Sequence, residues 1–179
     1  MLPLLMLLAC VLLRIVPHPW NFAPVGATSV FVGRTLPVRI GVPLLFAAML
    51  LGDICLARLN GYSLFSAATP FVYAGFAVQL LLGRWLRARR GGAIGAAVLG
   101  SVAFFTLSNF GVWAGGLYGF TLGGLAACYW AAIPFFGATL AGDVLWTIVL
   151  SLVFRWIARR VPQPRQSWTP VPVQQIGVI

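Results

Sequence analysis

Long apolar runs that contain almost no charge are the feature that most constrains how this chain can fold. Segments such as 40–57, 65–86 and 139–158 approach the length, ~20 residues, that a helix needs to cross the hydrocarbon core of a bilayer. Charged residues make up only 8% of the 179 positions, whereas a soluble domain carries about 25%. The sequence therefore predicts an integral membrane protein built as an all-α helix bundle.

The distribution of charge supports this class. All twelve basic residues are arginine, against two aspartates and no glutamate, which gives a formal net charge of +10. A nucleic-acid-binding protein would cluster such charge on a solvated face, but here the arginines separate apolar runs. This pattern is typical of loops that follow the positive-inside rule. We therefore predict a chain surrounded by membrane lipid, with no nucleic-acid partner.

The arginines also predict the number of spans. With the N-terminus inside and six transmembrane helices, ten of the twelve arginines lie inside, and only Arg14 and Arg58 lie outside. This arrangement treats 119–137 as an interrupted segment, with a helix that ends near Pro134 and a new helix that begins near Gly137. Counting 119–137 as a seventh span would place the last four arginines outside. The six-span arrangement, with both termini cytoplasmic, is therefore preferred.

The stretch 17–24 interrupts the apolar sequence near its start. Its three prolines prevent a regular helix, because proline lacks an N–H donor and restricts the residue before it. The next segment, 25–36, is short for a full span, so part of this irregular outer loop is expected at membrane depth. An ordinary interfacial turn anchored by Trp20 is the alternative. We assign 1–160 to one transmembrane domain and 161–179 to a Pro-rich polar tail.

The preferred topology brings the unusual polar residues to the outer side of the membrane. An ionisable group at membrane depth costs roughly 2.5–3.5 kcal/mol, so it usually faces a partner or a cavity. Structural pairing, for example of Asp53 with Arg58 or of Asp143 with Arg14, is one explanation for the two carboxylates. The other is a shared pocket for a small polar solute, whose predicted lining comprises His18, Trp20, Asn21, Asp53, Asn109, Trp113, Tyr118 and Asp143.

Sequence motifs of enzyme chemistry are missing. The chain has no GxSxG nucleophile, no HExxH metal motif and no lysine for a phosphate-binding loop. Its three cysteines show neither CxxC spacing nor a metal-type pairing with His18. We therefore predict neither enzymatic activity nor a cofactor or metal.

Several of these residues form motifs that resemble a known family. Arg14 and the run Pro17-His18-Pro19-Trp20-Asn21-Phe22-Ala23-Pro24 are similar to the opening motif of DUF6580, a family of small bacterial membrane proteins associated with transport. Further matches are Asp53, Phe104-Phe105 through Asn109 to Trp113, and Pro134-Phe135-Phe136 leading to Thr139 and Gly142-Asp143. The chain departs from the family pattern at Ala138, where we expect an asparagine.

That family in turn resembles the S components of energy-coupling-factor (ECF) transporters, six-helix proteins that bind vitamins or metal ions from outside. The resemblance implies uptake of a small, vitamin-like solute through the bacterial inner membrane, with a transmembrane coupling subunit and ATPases as partners. The first segment lacks a clear Ala-x-x-x-Ala motif for docking to the coupling subunit. The alternative is a non-transporting structural subunit that packs in a larger membrane complex.

Overall fold

The computed structural model describes residues 2–15, 22–61 and 63–160, which form six α-helices. The helices are α1 (Leu2–Ile15), α2 (Val25–Thr35), α3 (Val38–Asn60), α4 (Thr69–Trp85), α5 (Gly92–Ala114) and α6 (Leu122–Arg160). The predicted all-α class is confirmed. Because α3, α5 and α6 are long and apolar enough to cross a membrane, the helices also indicate a membrane protein. Six spans stay a prediction.

Proline and glycine set the boundaries of the central helices. The residue before Pro37, Leu36, is extended with ψ 153°, as expected before a proline, and this ends α2. Gly61 ends α3 in the left-handed conformation with φ 71°, and Gly91 precedes α5 with φ 68°. Only glycine adopts this conformation without steric cost, so these turns are specified locally.

The structure corrects the prediction for 119–137, because α6 runs without a break for 39 residues. Pro134 lies inside this helix, and its side chain is exposed. A helical proline removes one backbone hydrogen bond, here the bond to the carbonyl of Trp130, and its ring crowds that turn. Prolines are tolerated in membrane helices because the surroundings satisfy the freed group. The predicted helix end near Pro134 and new start near Gly137 are therefore wrong.

The centre of the bundle is α2. All residues from Gly26 to Gly33 are buried, and α2 packs against each of the other five helices. Its 11 residues span only ~16 Å, about half of a ~30 Å hydrocarbon core. A helix of this length inside the bundle must begin or end well below one surface.

The start of α2 lies near mid-length of α6. Trp146 Nε1 donates a hydrogen bond of 3.0 Å to the Phe22 carbonyl, and the backbone of Phe22 packs on Gly142. Residues 22–24 therefore pack against the middle of α6, and the membrane depth of this stretch stays a prediction. The residues before them, with His18, Trp20 and Asn21, lie outside the described residues.

Successive long helices alternate in direction. On α4 and α5, Gln79 lies beside Gly100 and Phe71 lies beside Gly111, so these two helices are antiparallel. Two hydrogen bonds, Ser101 to Asp143 and Tyr129 to the Thr106 carbonyl, give the same relation between α5 and α6. The last turns of α4 and α6 and the first turn of α5 therefore lie at one end of the bundle.

This end also receives the last turn of α2. Arg34 donates through Nη1 to the carbonyl of Leu86 and through Nη2 to the carbonyl of Arg87, both at 3.2 Å. We call it the arginine-rich end, and its described arginines are Arg34, Arg39, Arg84, Arg87, Arg89, Arg90, Arg155, Arg159 and Arg160.

Candidate functional site

The most deeply buried charged side chain in the described part of the protein is Asp143, which is 3% exposed. Its Oδ2 accepts a 2.9 Å hydrogen bond from Gln79 Nε2 and a 2.7 Å bond from Ser101 Oγ. The backbone N–H of Ala27 is a further donor to the carboxylate. One carboxylate therefore joins α2, α4, α5 and α6.

The carboxylate also caps α2 from another helix. The N-cap residue of α2 is Pro24, whose side chain offers no oxygen to the free N–H groups of the first turn. Asp143 lies directly on this turn, since a Cβ added to Gly26 would overlap the carboxylate. Negative charge is stabilising at a helix N-terminus. Gly26 is thus required for the close approach, and Asp143 supplies the cap.

Asp53 belongs to a different network. Tyr73 Oη donates to Asp53 Oδ2 at 2.7 Å, which joins α3 to α4. Tyr73 lies six residues before Gln79 on α4, a separation of ~9 Å along the axis and roughly 240° around it. The two aspartates therefore approach different faces of α4.

Asn109 lines a cavity of about 240 Å³ between α5 and α6. Its Nδ2 donates to the Phe105 carbonyl at 2.8 Å, within the same helix. The cavity lining consists of aromatic and small polar side chains from both helices: Phe104, Phe105, Ser108, Asn109, Ala132, Phe135, Phe136 and Thr139. Most of them belong to the motifs by which the sequence resembles its family, so two motif segments that are distant in sequence meet here.

The cavity lies next to the buried carboxylate. Thr139 lies one helical turn before Asp143 on α6, and Phe104 lies one turn after Ser101 on α5. From the network around Asp143, the cavity extends away from the arginine-rich end. Asp143 lies one turn from the end of the Asn109 cavity without lining it, and Asp53 does not line it either, so a pocket shared by the three residues stays a prediction.

Of the three aromatic residues predicted for the site, the two that the structure describes, Trp113 and Tyr118, lie farther from Asp143 than the cavity does. Trp113, in the last turn of α5, packs its ring against Phe110 and Phe120, with centroids 5.4 and 6.3 Å apart. Its Nε1 is buried and has no hydrogen-bond partner in the described residues. Tyr118 lies in the turn between α5 and α6 and is 36% exposed. Neither residue lines the Asn109 cavity.

Sequence reasoning missed Gln79 and Ser101, the two side chains that bind Asp143. Both are fully buried, and both lie in apolar helices. A polar residue in an apolar run is itself a signal, because it needs a partner inside the bundle. The side-chain partners of Asp143 in the described part of the chain are neutral, and its pairing with Arg14 stays a prediction.

Comparison with known proteins gives one match. The model of a family of unknown function (DUF6580) matches residues 1–165. This is the same family that the sequence motifs resemble. No curated protein and no solved structure matches the chain. The resemblance to ECF S components stays a prediction.

Proposed function

The chain belongs to the DUF6580 family, and from this premise we propose that it is a membrane transport protein that binds a small polar solute in the Asn109 cavity. In this proposal it acts as an S-component-like subunit for uptake across the bacterial inner membrane. A transmembrane coupling subunit and ATPases would supply the energy. The function of the family is unknown, so the support comes from the geometry of the site.

The observation that carries the proposal is the position of the cavity between α5 and α6, one helical turn from the buried carboxylate on which the short central helix begins. Transporters commonly bind their substrates where helices are discontinuous within the membrane. A volume of about 240 Å³ is below the ~300 Å³ at which pockets for drug-sized ligands begin. The cavity therefore favours a solute smaller than most vitamins.

The hydrogen bonds around the cavity favour a particular chemistry of solute. Ser108 Oγ and Thr139 Oγ1 each donate their one proton to a carbonyl of their own helix, at 2.7 and 3.1 Å. Their oxygens then remain to accept hydrogen bonds. Aromatic faces line the same space, and they attract cations. We therefore propose a solute that is rich in N–H or O–H donors, such as a small amine.

A matched pair of asparagine variants tests the site. Asn109 and Asn60 each donate Nδ2 to the carbonyl four residues earlier, at 2.8 Å, but Asn60 is exposed at the end of α3. Purified protein in detergent is screened by thermal shift against small amines, amino acids and vitamins. For a compound that stabilises the wild type, we expect Asn109→Ala to weaken binding about tenfold, because a hydrogen bond from Asn109 to the compound is lost.

Asn60→Ala should leave the binding of that compound unchanged. Uptake of the same compound by cells that express the protein should fall in the Asn109→Ala variant at equal amounts of folded protein. If Asn109→Ala lowers thermal stability but leaves binding and uptake intact, the residue is structural. That result would favour the non-transporting subunit of a larger complex.

The proposed topology has a separate test. With six spans, both termini and the loop after α4 face the cytoplasm. The continuous α6 counts as one span, so the proposed side of the C-terminus is unchanged. Reporter fusions after Arg90 and after Val161 should both report inside, and a fusion in the turn at Tyr118 should report outside, because the arginines gather at one end. An outside signal at Val161 would contradict the six-span topology.

A further inference from the structure

A second and larger cavity, of about 620 Å³, lies at the arginine-rich end between α2, α6 and the start of α5. Four arginines line it: Arg34, Arg87, Arg89 and Arg155. The rest of the lining is largely apolar and includes Phe31, Ile94, Ile148 and Phe154. The proposed solute site does not use this cavity, which is lined by different residues.

The electrostatics of this cavity favour an anion. The chain has only two carboxylate side chains. Asp53 is bonded to Tyr73 between α3 and α4, and Asp143, although one turn from the cavity residue Thr147, directs its carboxylate to Gln79 and Ser101. The first turn of α5 also lines the cavity and follows Gly91, which has no side chain to cap it. Free N–H groups at a helix start add positive potential.

Two polar side chains of the cavity lining support an anionic ligand. The hydrogen bonds of Arg34 to the loop carbonyls of Leu86 and Arg87 hold its guanidinium in place at the cavity wall. Thr147 lines the cavity and is 3% exposed, yet its Oγ1 has no hydrogen-bond partner among the described residues. Buried hydroxyls are normally bonded, so this oxygen points to a missing partner.

We propose that this cavity binds the phosphate group of an anionic phospholipid, with the phosphate held by the arginines and Thr147. The apolar walls favour a lipid over free phosphate, because Ile94 and Ile148 are 45% and 38% exposed at the rim and offer a path for acyl chains. Basic pockets between membrane helices on the cytoplasmic side recognise such headgroups. This inference is independent of the solute site.

The test uses native mass spectrometry of the full-length protein in neutral detergent. Phosphatidylglycerol, phosphatidylcholine and inorganic phosphate are titrated separately. We expect phosphatidylglycerol to bind at least about tenfold more tightly than phosphatidylcholine, since arginines near a membrane surface each strengthen binding to anionic lipid. Inorganic phosphate should not compete at equal concentration. If it binds as tightly as the lipid, the site is a free-phosphate site and the lipid assignment is wrong.

Two double variants with equal charge separate this site from general attraction. Arg87→Gln with Arg89→Gln removes two cavity arginines, and we expect phosphatidylglycerol binding to fall roughly tenfold or more. Arg159→Gln with Arg160→Gln removes the same charge at the same end but outside the cavity lining, and binding should change little. An equal loss in both variants would overturn the proposal, because it indicates attraction by net charge alone.

Thr147→Val provides a third measurement. The change keeps the side-chain shape and removes the unpartnered oxygen, so thermal stability without lipid should be unchanged or higher. Binding of phosphatidylglycerol should nevertheless weaken by roughly fivefold to tenfold, because one buried hydrogen bond to the headgroup is lost. Lipid affinity equal to that of the wild type would remove Thr147 from the site and overturn the proposed phosphate position.

Discussion

Replacing Asp143 with alanine is expected to lower the free energy of unfolding by at least about 3 kcal/mol, among the largest effects of any single change. The carboxylate accepts hydrogen bonds from Gln79 Nε2 and Ser101 Oγ, and it caps the first turn of α2 next to Gly26. Removing it ends the cost of burying a charge. It also leaves buried donors without an acceptor, and each such donor is destabilising.

The donors around Asp143 should differ in importance. Ser101 Oγ lies 2.7 Å from Asp143 Oδ2 and also 2.9 Å from the Ala97 carbonyl, so its proton has an alternative acceptor. Gln79 Nε2 and the start of α2 have no such alternative in the described residues. In the Asp143→Ala background, Ser101→Ala should therefore cost less than about 0.5 kcal/mol, whereas alone it should cost about 1 kcal/mol or more.

Thermal melts and denaturant titrations of the purified protein in detergent measure these differences. Thr106→Val serves as the control, because Thr106 is exposed on α5 and its hydroxyl donates only to the Val102 carbonyl of its own helix. Its effect should stay within about 0.5 kcal/mol. An Asp143→Ala protein as stable as this control would show that the carboxylate does not hold the four helices together.

Most helix positions could be predicted from the apolar runs and the residues between them. The bounds predicted for the short second segment, 25–36, agree with the structure within one residue. The error at Pro134 has a physical cause. In a helix surrounded by water, a proline usually marks the end of the helix. In a long apolar helix, ending the helix would leave several backbone groups without hydrogen bonds, which costs more than the one bond that the proline removes.

The composition of the site was harder to predict. Topology gives the depth of a residue in the membrane but not the direction in which its side chain points. Asp53 and Asp143 are on the same side in the predicted topology, yet Tyr73 and Gln79 hold them on different faces of α4. The rotation of each helix is decided by close contacts such as Gly26 with Asp143. A single sequence does not reveal such contacts.

The crossing of α2 and α4 should be the second most sensitive place in the protein. A Cβ added to Gly33 would overlap the Leu80 carbonyl oxygen, and a Cβ added to Gly83 would overlap the Val30 carbonyl oxygen. Small residues allow helix backbones to approach closely in membranes. These obstacles are backbone atoms, which cannot change rotamer, so the two helices would have to separate. Gly33→Ala should therefore destabilise the protein by about 3 kcal/mol or more, the upper end for overpacking.

A second helical glycine offers a matched control for Gly33→Ala. Gly137 lies inside α6, and a Cβ there meets no atom within 4 Å. Gly137→Ala should stabilise α6 by about 0.5–1 kcal/mol, because alanine loses less conformational freedom than glycine in a helix. The two variants add the same methyl group, so opposite changes in the melting temperature would isolate the steric effect at Gly33. If Gly33→Ala also raised the melting temperature, α2 and α4 would not cross as closely as their backbones do here, and the buried position of α2 would have to be abandoned.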